Sequence, residues 1–303
     1  MSKSEKLYIE TKLENWNDLF KLNQRFLAKF IFRGQADEKW DLSTALERQI
    51  NKFAPNLFDK DIIPIQEKHM LKEFKWKYPL YSNKRPEESN TVEWLTIMQH
   101  YGTATRLLDF SHSLFVALHM AVFDNGFSGA LWAINTIPIN HHLFEQYRKE
   151  VKKNSESQEK LDLYTLKRAN EIVNLHSFNK DVEKQLFIIK PQFCNERLSR
   201  QQGLFLLPSC IKIPFSNCLN TYIHSPTPIE VPFDRLIEYS HEGKYKQSDI
   251  SLIKIIIPRE KNYILTKNLK AMNVTPEILF PGLDGLAKSL NYAQFCFNHG
   301  EDE

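Results

Sequence analysis

The stretch QHYGTATRLLDFSHSLFVALHMAVFDNGFSGALWAIN, residues 99–135, holds two periodicities in succession. From Ser111 to Phe123, Leu114, Phe115, Leu118 and Val122 recur at helical spacing. Asn125-Gly126 then turns the chain, and Gly129 to Asn135 reads as a strand. Working outward, Thr91 to Tyr101 reads as a helix capped by Thr91 or Asn90, with Glu93 in its first turn and Gly102 as its stop. Lys60 to Tyr78 reads as another helix, rich in aromatics and charge. Leu19, Phe20, Leu22, Phe26 and Leu27 give a helical pattern over Trp16 to Lys29, and Lys29 to Phe32 alternates into a short strand with Arg33 at its end.

Downstream, the composition shifts to Lys, Glu, Asn and Ser between about residues 140 and 180, with 152–157 the most linker-like stretch, which predicts a helical insertion on the surface. Gln185 to Lys190, Leu204 to Leu207 and Leu252 to Ile257 read as further strands. Pro258 stops the last, a helix follows from Arg259 to Met272, Thr275-Pro276-Glu277 opens a turn, and Asp284 to Phe297 closes the chain as a helix. Strands separated by helices of mixed order predict an α+β fold with one central mixed or split β-sheet and flanking helices. The expected organisation is an N-terminal helical lead-in at 1–24, a main domain at 25–292 and a C-terminal tail at 293–303.

The chain has 303 residues, 42% hydrophobic and 12% aromatic, enough to bury a sizeable core. Lys and Arg exceed Asp and Glu by 40 to 37, so bulk charge argues neither for nor against a nucleic-acid partner. The charged start at Met1 to Lys6 lacks the apolar core of about 7 to 15 residues of a signal peptide. No apolar run approaches the roughly 20 residues of a membrane span, so a cytoplasmic location and no membrane partner are expected. Cys194, Cys210, Cys218 and Cys296 form no C-x-x-C pair and read as free buried thiols, and no metal is expected.

Three segments concentrate polar side chains beside glycine and apolar anchors. In Phe32-Arg33-Gly34-Gln35 a guanidinium stands at a strand end, where Gly34 leaves room for a ligand or another backbone; a salt-bridged terminus is the simpler alternative. In 99–111, Leu107 and Leu108 anchor a turn that leaves His100, Thr105, Arg106, Asp109 and Ser111 to converge on a ligand. The alternative makes Asp109 or Ser111 a helix cap and pairs Arg106 with Asp109. In 197–205, Arg197 and Gln201 precede Gly203, which serves either a ligand site or a bulge.

In order and spacing, these segments resemble the FRG-domain signature: F-R-G-Q at 32–35, Q-H-Y-G-x-x-T-R-L-L-D-x-[ST] at 99–111, and R-x-x-x-Q-x-G-x-F at 197–205. Trp40 to Arg48 and Leu279 to Leu286 look like further landmarks of that family. The resemblance implies an FRG domain over about 25–292 in an intracellular bacterial effector, with a toxin or antiviral defence role.

A second resemblance is to the three-part site of ADP-ribosyltransferases, which implies NAD as substrate. On that analogy Arg33 holds the NAD phosphates or ribose, Thr105 or Ser111 positions the nicotinamide ribose, and Gln201 or Gly203 stands where transferases carry their acidic residue. Cleaving the nicotinamide bond needs a carboxylate near the oxocarbenium ion, which Gln201 and Gly203 lack, so Asp109 or Glu196 would have to supply it. The expected catalytic set is therefore Arg33, His100, Thr105, Asp109 and Gln201. Gly34, Gln35, Tyr101, Arg106, Ser111, Arg197 and Gly203 are the expected ligand contacts. A noncatalytic module gripping the phosphate of a nucleotide or RNA end is the alternative. Metal-assisted hydrolysis through His112 and His119 is disfavoured, because seven helical residues separate two ligands by about 10.5 Å.

Overall fold

The computed structural model describes residues 7–53, 62–123, 126–151, 158–175, 183–192, 195–223, 227–241 and 250–297. Its strands are β1 (Leu7–Lys12), β2 (Phe30–Gln35), β3 (Leu108–Ser111), β4 (Gly129–Asn135), β5 (Leu186–Ile189), β6 (Gly203–Pro208), β7 (Ile229–Glu230) and β8 (Ile250–Ile257). They form one mixed sheet in the order β5-β6-β3-β2-β4-β8-β1-β7, antiparallel from β5 to β8 and parallel across β8, β1 and β7. The fold is α+β with helices on both faces, and the sheet is single rather than split.

Alternation along the strands builds two cores. Phe30 and Phe32 of β2 and Leu131 and Ala133 of β4 enter one, while Ile31, Trp132 and Ile134 enter the other. β4 is buried along its whole length because both of its faces are covered. The Leu114–Val122 helix lies on the Phe30 and Phe32 side, and glycine makes its close approach possible. A Cβ at Gly34 would stand 1.8 Å from the Ala117 carbonyl oxygen, and one at Gly129 would stand 2.3 Å from that of Ala121. The room left by Gly34 is therefore filled by another backbone and not by a ligand. Ser113, not Asp109 or Ser111, caps this helix, its Oγ accepting the Val116 N–H at 3.3 Å. Asp109 and Ser111 belong to β3.

Other expectations are corrected by long-range packing. Within the lead-in, Leu7–Lys12 is a sheet strand paired with β8, a partner more than 230 residues away whose influence no local pattern discloses. Trp16 to Lys29 is split into helices Asp18–Lys21 and Gln24–Leu27, with the Asn23 side chain accepting the Arg25 N–H between them. β2 continues through Gln35, which places Arg33 inside the strand opposite Trp132. The lysine-rich segment is helical at Thr136–Val151 and Gln158–Leu175, but it is no surface insertion: Leu143, Tyr147, Leu161, Tyr164, Ile172 and Val173 join the core. The amide oxygen of Asn170 accepts the Val92 N–H at 2.9 Å, tying this segment to the Thr91–His100 helix. The linker-like residues 152–157 lie outside the described residues. No helix among the described residues is long and apolar enough to cross a membrane.

Candidate functional site

A cleft of about 370 Å³ opens where the end of the Thr91–His100 helix, β3, β6 and the short Glu196–Arg200 helix meet the turn after the Ile62–Lys77 helix. Gln99, His100, Tyr101, Asp109, Arg197 and Gln201 all line it. The second and third sequence segments thus converge, although about 90 residues separate them. Local chemistry shapes each wall. The Asn90 side chain accepts the Glu93 N–H to start the Thr91–His100 helix, and Gly102, at φ +85°, ends it, so that His100 and Tyr101 project from its last turn. Asn195 caps the Glu196–Arg200 helix, Gln202 takes a positive φ of 47°, and the chain enters β6 at Gly203. Gly203 pairs in register with Ser111, and a Cβ there would stand 2.4 Å from Leu198 Cδ1; the bend lies at Gln202 and not in a bulge at Gly203.

Among the described residues, Asp109 is the one carboxylate lining the cleft, and its side chain is 55% exposed. Its position is set by a chain of polar contacts. Thr105 Oγ1 donates to Gln99 Oε1 at 2.6 Å, and Gln99 Nε2 donates to Asp109 Oδ2 at 3.0 Å. From behind, Arg33 Nη1 donates to the Asp109 carbonyl oxygen at 2.9 Å and stands 3.7 Å from Oδ2. Arg33 is 15% exposed and does not line the cleft; with Thr105, it supports Asp109 from the interior. Burial pulls the Arg33 guanidinium below its ordinary pKa; Asp109 opposes that shift and Arg48 adds to it.

The other expected contacts are distributed as follows. Arg106 is buried in a bidentate ion pair with Glu67 of the Ile62–Lys77 helix, its Nε at 2.9 Å from both carboxylate oxygens, and it neither lines the cleft nor pairs with Asp109. Gln35 is consumed internally, accepting the Trp132 indole N–H at 2.7 Å and donating to the Asp41 carbonyl. Ser111 Oγ donates to the Gln201 carbonyl at 2.7 Å and accepts the Ser113 N–H, so it holds the third segment against the second. His112 lies in the loop before the Leu114–Val122 helix and His119 inside it, fully buried.

Two cations face the cleft without an ion-pair partner among the described residues, Lys84 and Arg197. Arg197 is braced by the C-terminal segment, its guanidinium 4.9 Å from the centre of the Phe280 ring. Gln201 Nε2 donates to the Leu279 carbonyl at 3.0 Å, and Arg200 donates to that of Ile278. Burial lowers the His100 pKa, and the charge of Arg197 lowers it further. Tyr78, Tyr101 and Phe205 add aromatic surface. Sequence reading did not single out Lys84, Gln99, Glu67 or Phe280 for these roles. Gln99 lay inside the quoted motif, whereas Lys84 sits in the polar run Ser82-Asn83-Lys84-Arg85, which carries no signal of its own. Cys218 is buried and free, its thiol pushed up to about 11 by burial, and Cys210 is half-buried and free. Cys194 and the Cys296 side chain lie outside the described residues.

Residues 28–127 match the family model of the FRG domain, a span that contains β2, the Thr91–His100 helix, β3 and the helix laid across Gly34. The chain carries an FRG domain. The match takes in the first two motifs and stops before 197–205, so the cleft lies between the matched FRG residues and later chain. Nothing matches the chain among curated proteins or among solved structures.

Proposed function

We propose that the cleft binds a phosphate-bearing nucleotide, with its phosphates on Arg197 and Lys84 and an aromatic ring against Tyr78 or Tyr101. The observation that carries this reading is a pair of cations in one concavity, reached from two distant parts of the chain and without an ion-pair partner among the described residues. Guanidinium and ammonium groups without internal carboxylates are available to a phosphate, and a partly desolvated setting strengthens the contact. Arg33 has no phosphate role in this arrangement, since its guanidinium is engaged by Asp109.

One observation favours a catalytic form of the same reading. Asp109 is held by Gln99 and Arg33 yet open to the cleft. Cleavage of NAD breaks the bond between the nicotinamide nitrogen and ribose C1′, and a rigid carboxylate stabilises the oxocarbenium ion that develops. Water or a target nucleophile then captures C1′. In a cell this reaction would deplete NAD or modify a target, a chemistry that suits a toxin or antiviral effector.

Thermal unfolding of the full chain across a panel of nucleotides tests the binding claim. A ligand at a hundred times its Kd raises stability by about 2.7 kcal/mol, and Arg197→Ala removes that gain. A panel that leaves the transition unmoved overturns it. Incubation with NAD followed by nicotinamide detection tests catalysis. Release is expected to fall roughly 100- to 1000-fold in Asp109→Asn, while nucleotide binding persists; absence of release from the wild type leaves a binding module only.

A further inference from the structure

The turn that brings Tyr78, Ser82 and Lys84 to the cleft is the end of a longer basic and aromatic ridge. Lys68, Lys72 and Lys75 follow one another at spacings of four and three on the Ile62–Lys77 helix, and so share one face. They line a second concavity of about 770 Å³ together with Trp76. Trp76 is 73% exposed, and Tyr81, between the two concavities in the chain, is 84% exposed. Along this segment Glu67 is sealed against Arg106, Glu73 pairs with Lys77, and Glu88 pairs with Lys75. Lys72, Lys84 and Arg85 have no ion-pair partner among the described residues, against a single unpaired acid, Glu87.

Large rings left in water beside unpaired cations are the features by which proteins hold single strands: bases stack on the rings and phosphates follow the charges. Both depressions are concave and open onto one continuous segment, which suits a strand better than the flat face of a bilayer. We propose that the ridge from Lys68 to Arg85 is a track for single-stranded nucleic acid that delivers a terminal nucleotide into the cleft. This inference rests on the nucleotide reading of the cleft and names its substrate class.

Fluorescence anisotropy with a fluorescein-labelled single-stranded oligonucleotide, in RNA and in DNA form, tests it on the full chain beside the mononucleotide of the same base. Either oligonucleotide is expected to bind at least about tenfold more tightly than the mononucleotide, and to weaken as salt rises. Trp76→Ala and Tyr81→Ala are each expected to weaken the oligonucleotide about tenfold and to leave mononucleotide binding and thermal unfolding unchanged. Lys72→Glu is expected to act in the same direction. If the mononucleotide binds but the oligonucleotide gains nothing, or the three variants bind it as the wild type does, the track is overturned and the cleft reading stands. If the mononucleotide fails to bind the wild type, both are overturned. Capture by phosphatidylserine-containing vesicles that depends on Trp76 and Tyr81, without oligonucleotide binding, overturns the track in favour of a lipid surface.

Discussion

Two arginines of the FRG domain, Arg106 and Arg33, each meet a carboxylate, and they do so in opposite ways. Arg106 and Glu67 are buried together and satisfy one another through a bidentate contact. Arg33 is enclosed, but its partner Asp109 reaches the cleft and keeps a free edge. The first pair pins the Ile62–Lys77 helix to the segment before β3; the second aims a charge outward. A single motif thus supplies both a sealed cross-link and a carboxylate open to the cleft, and residue type alone does not separate the two.

The comparison breaks most visibly at the sealed pair. Glu67→Ala leaves a buried guanidinium uncompensated and is expected to lower stability by about 3 to 5 kcal/mol in urea unfolding, whereas Glu67→Leu with Arg106→Met recovers most of that loss. His119 sharpens the contrast, because it is fully buried and neither ring nitrogen has a hydrogen-bond partner among the described residues. Burial depresses its pKa from the ordinary 6.5 to about 4. The unfolded chain therefore takes up a proton below pH 6.5 that the folded chain refuses until about pH 4. Stability linked to His119 is present in full above pH 6.5 and is lost as the pH falls through that window, by about 3 kcal/mol in all. His119→Leu is expected to flatten this part of a stability profile measured by denaturation against pH.

Gly34→Ala, next to Arg33, forces β2 and the Leu114–Val122 helix apart and is expected to cost about 1 to 3 kcal/mol in the same unfolding assay. The smallest effect on stability belongs to Asp109→Asn. An exposed partner contributes less than about 1 kcal/mol, so its thermal transition should stay close to that of the wild type. A large loss there would move Asp109 into the structural class with Glu67.

Much of this was legible from local pattern. The strand at Gly129–Asn135, the glycine stop at Gly102 and the helix beginning after Asn90 follow from spacing and capping chemistry that act within a few residues. The convergence of His100, Asp109, Arg197 and Gln201 on one cleft was legible only as a bet on motif order. Whether a polar residue faces that cleft was not legible at all. Arg106 and Gln35 carry the same polar groups as Arg197 and Gln201, yet Glu67 and Asp41 take up their donors inside and the Trp132 indole N–H takes up the Gln35 amide oxygen. β1 and the buried lysine-rich helices were misread for a similar reason: their partners are distant in sequence, and burial there is set by what covers them.

By itself, then, the order of residues determined where helices start and stop, which strands alternate, and that three polar segments punctuate the chain, because turn and capping energies are local. Only the tertiary structure decided which arginine is sealed and which carboxylate is open. Exposure belongs to the packed assembly, and a side chain's availability depends on which neighbours reach it first.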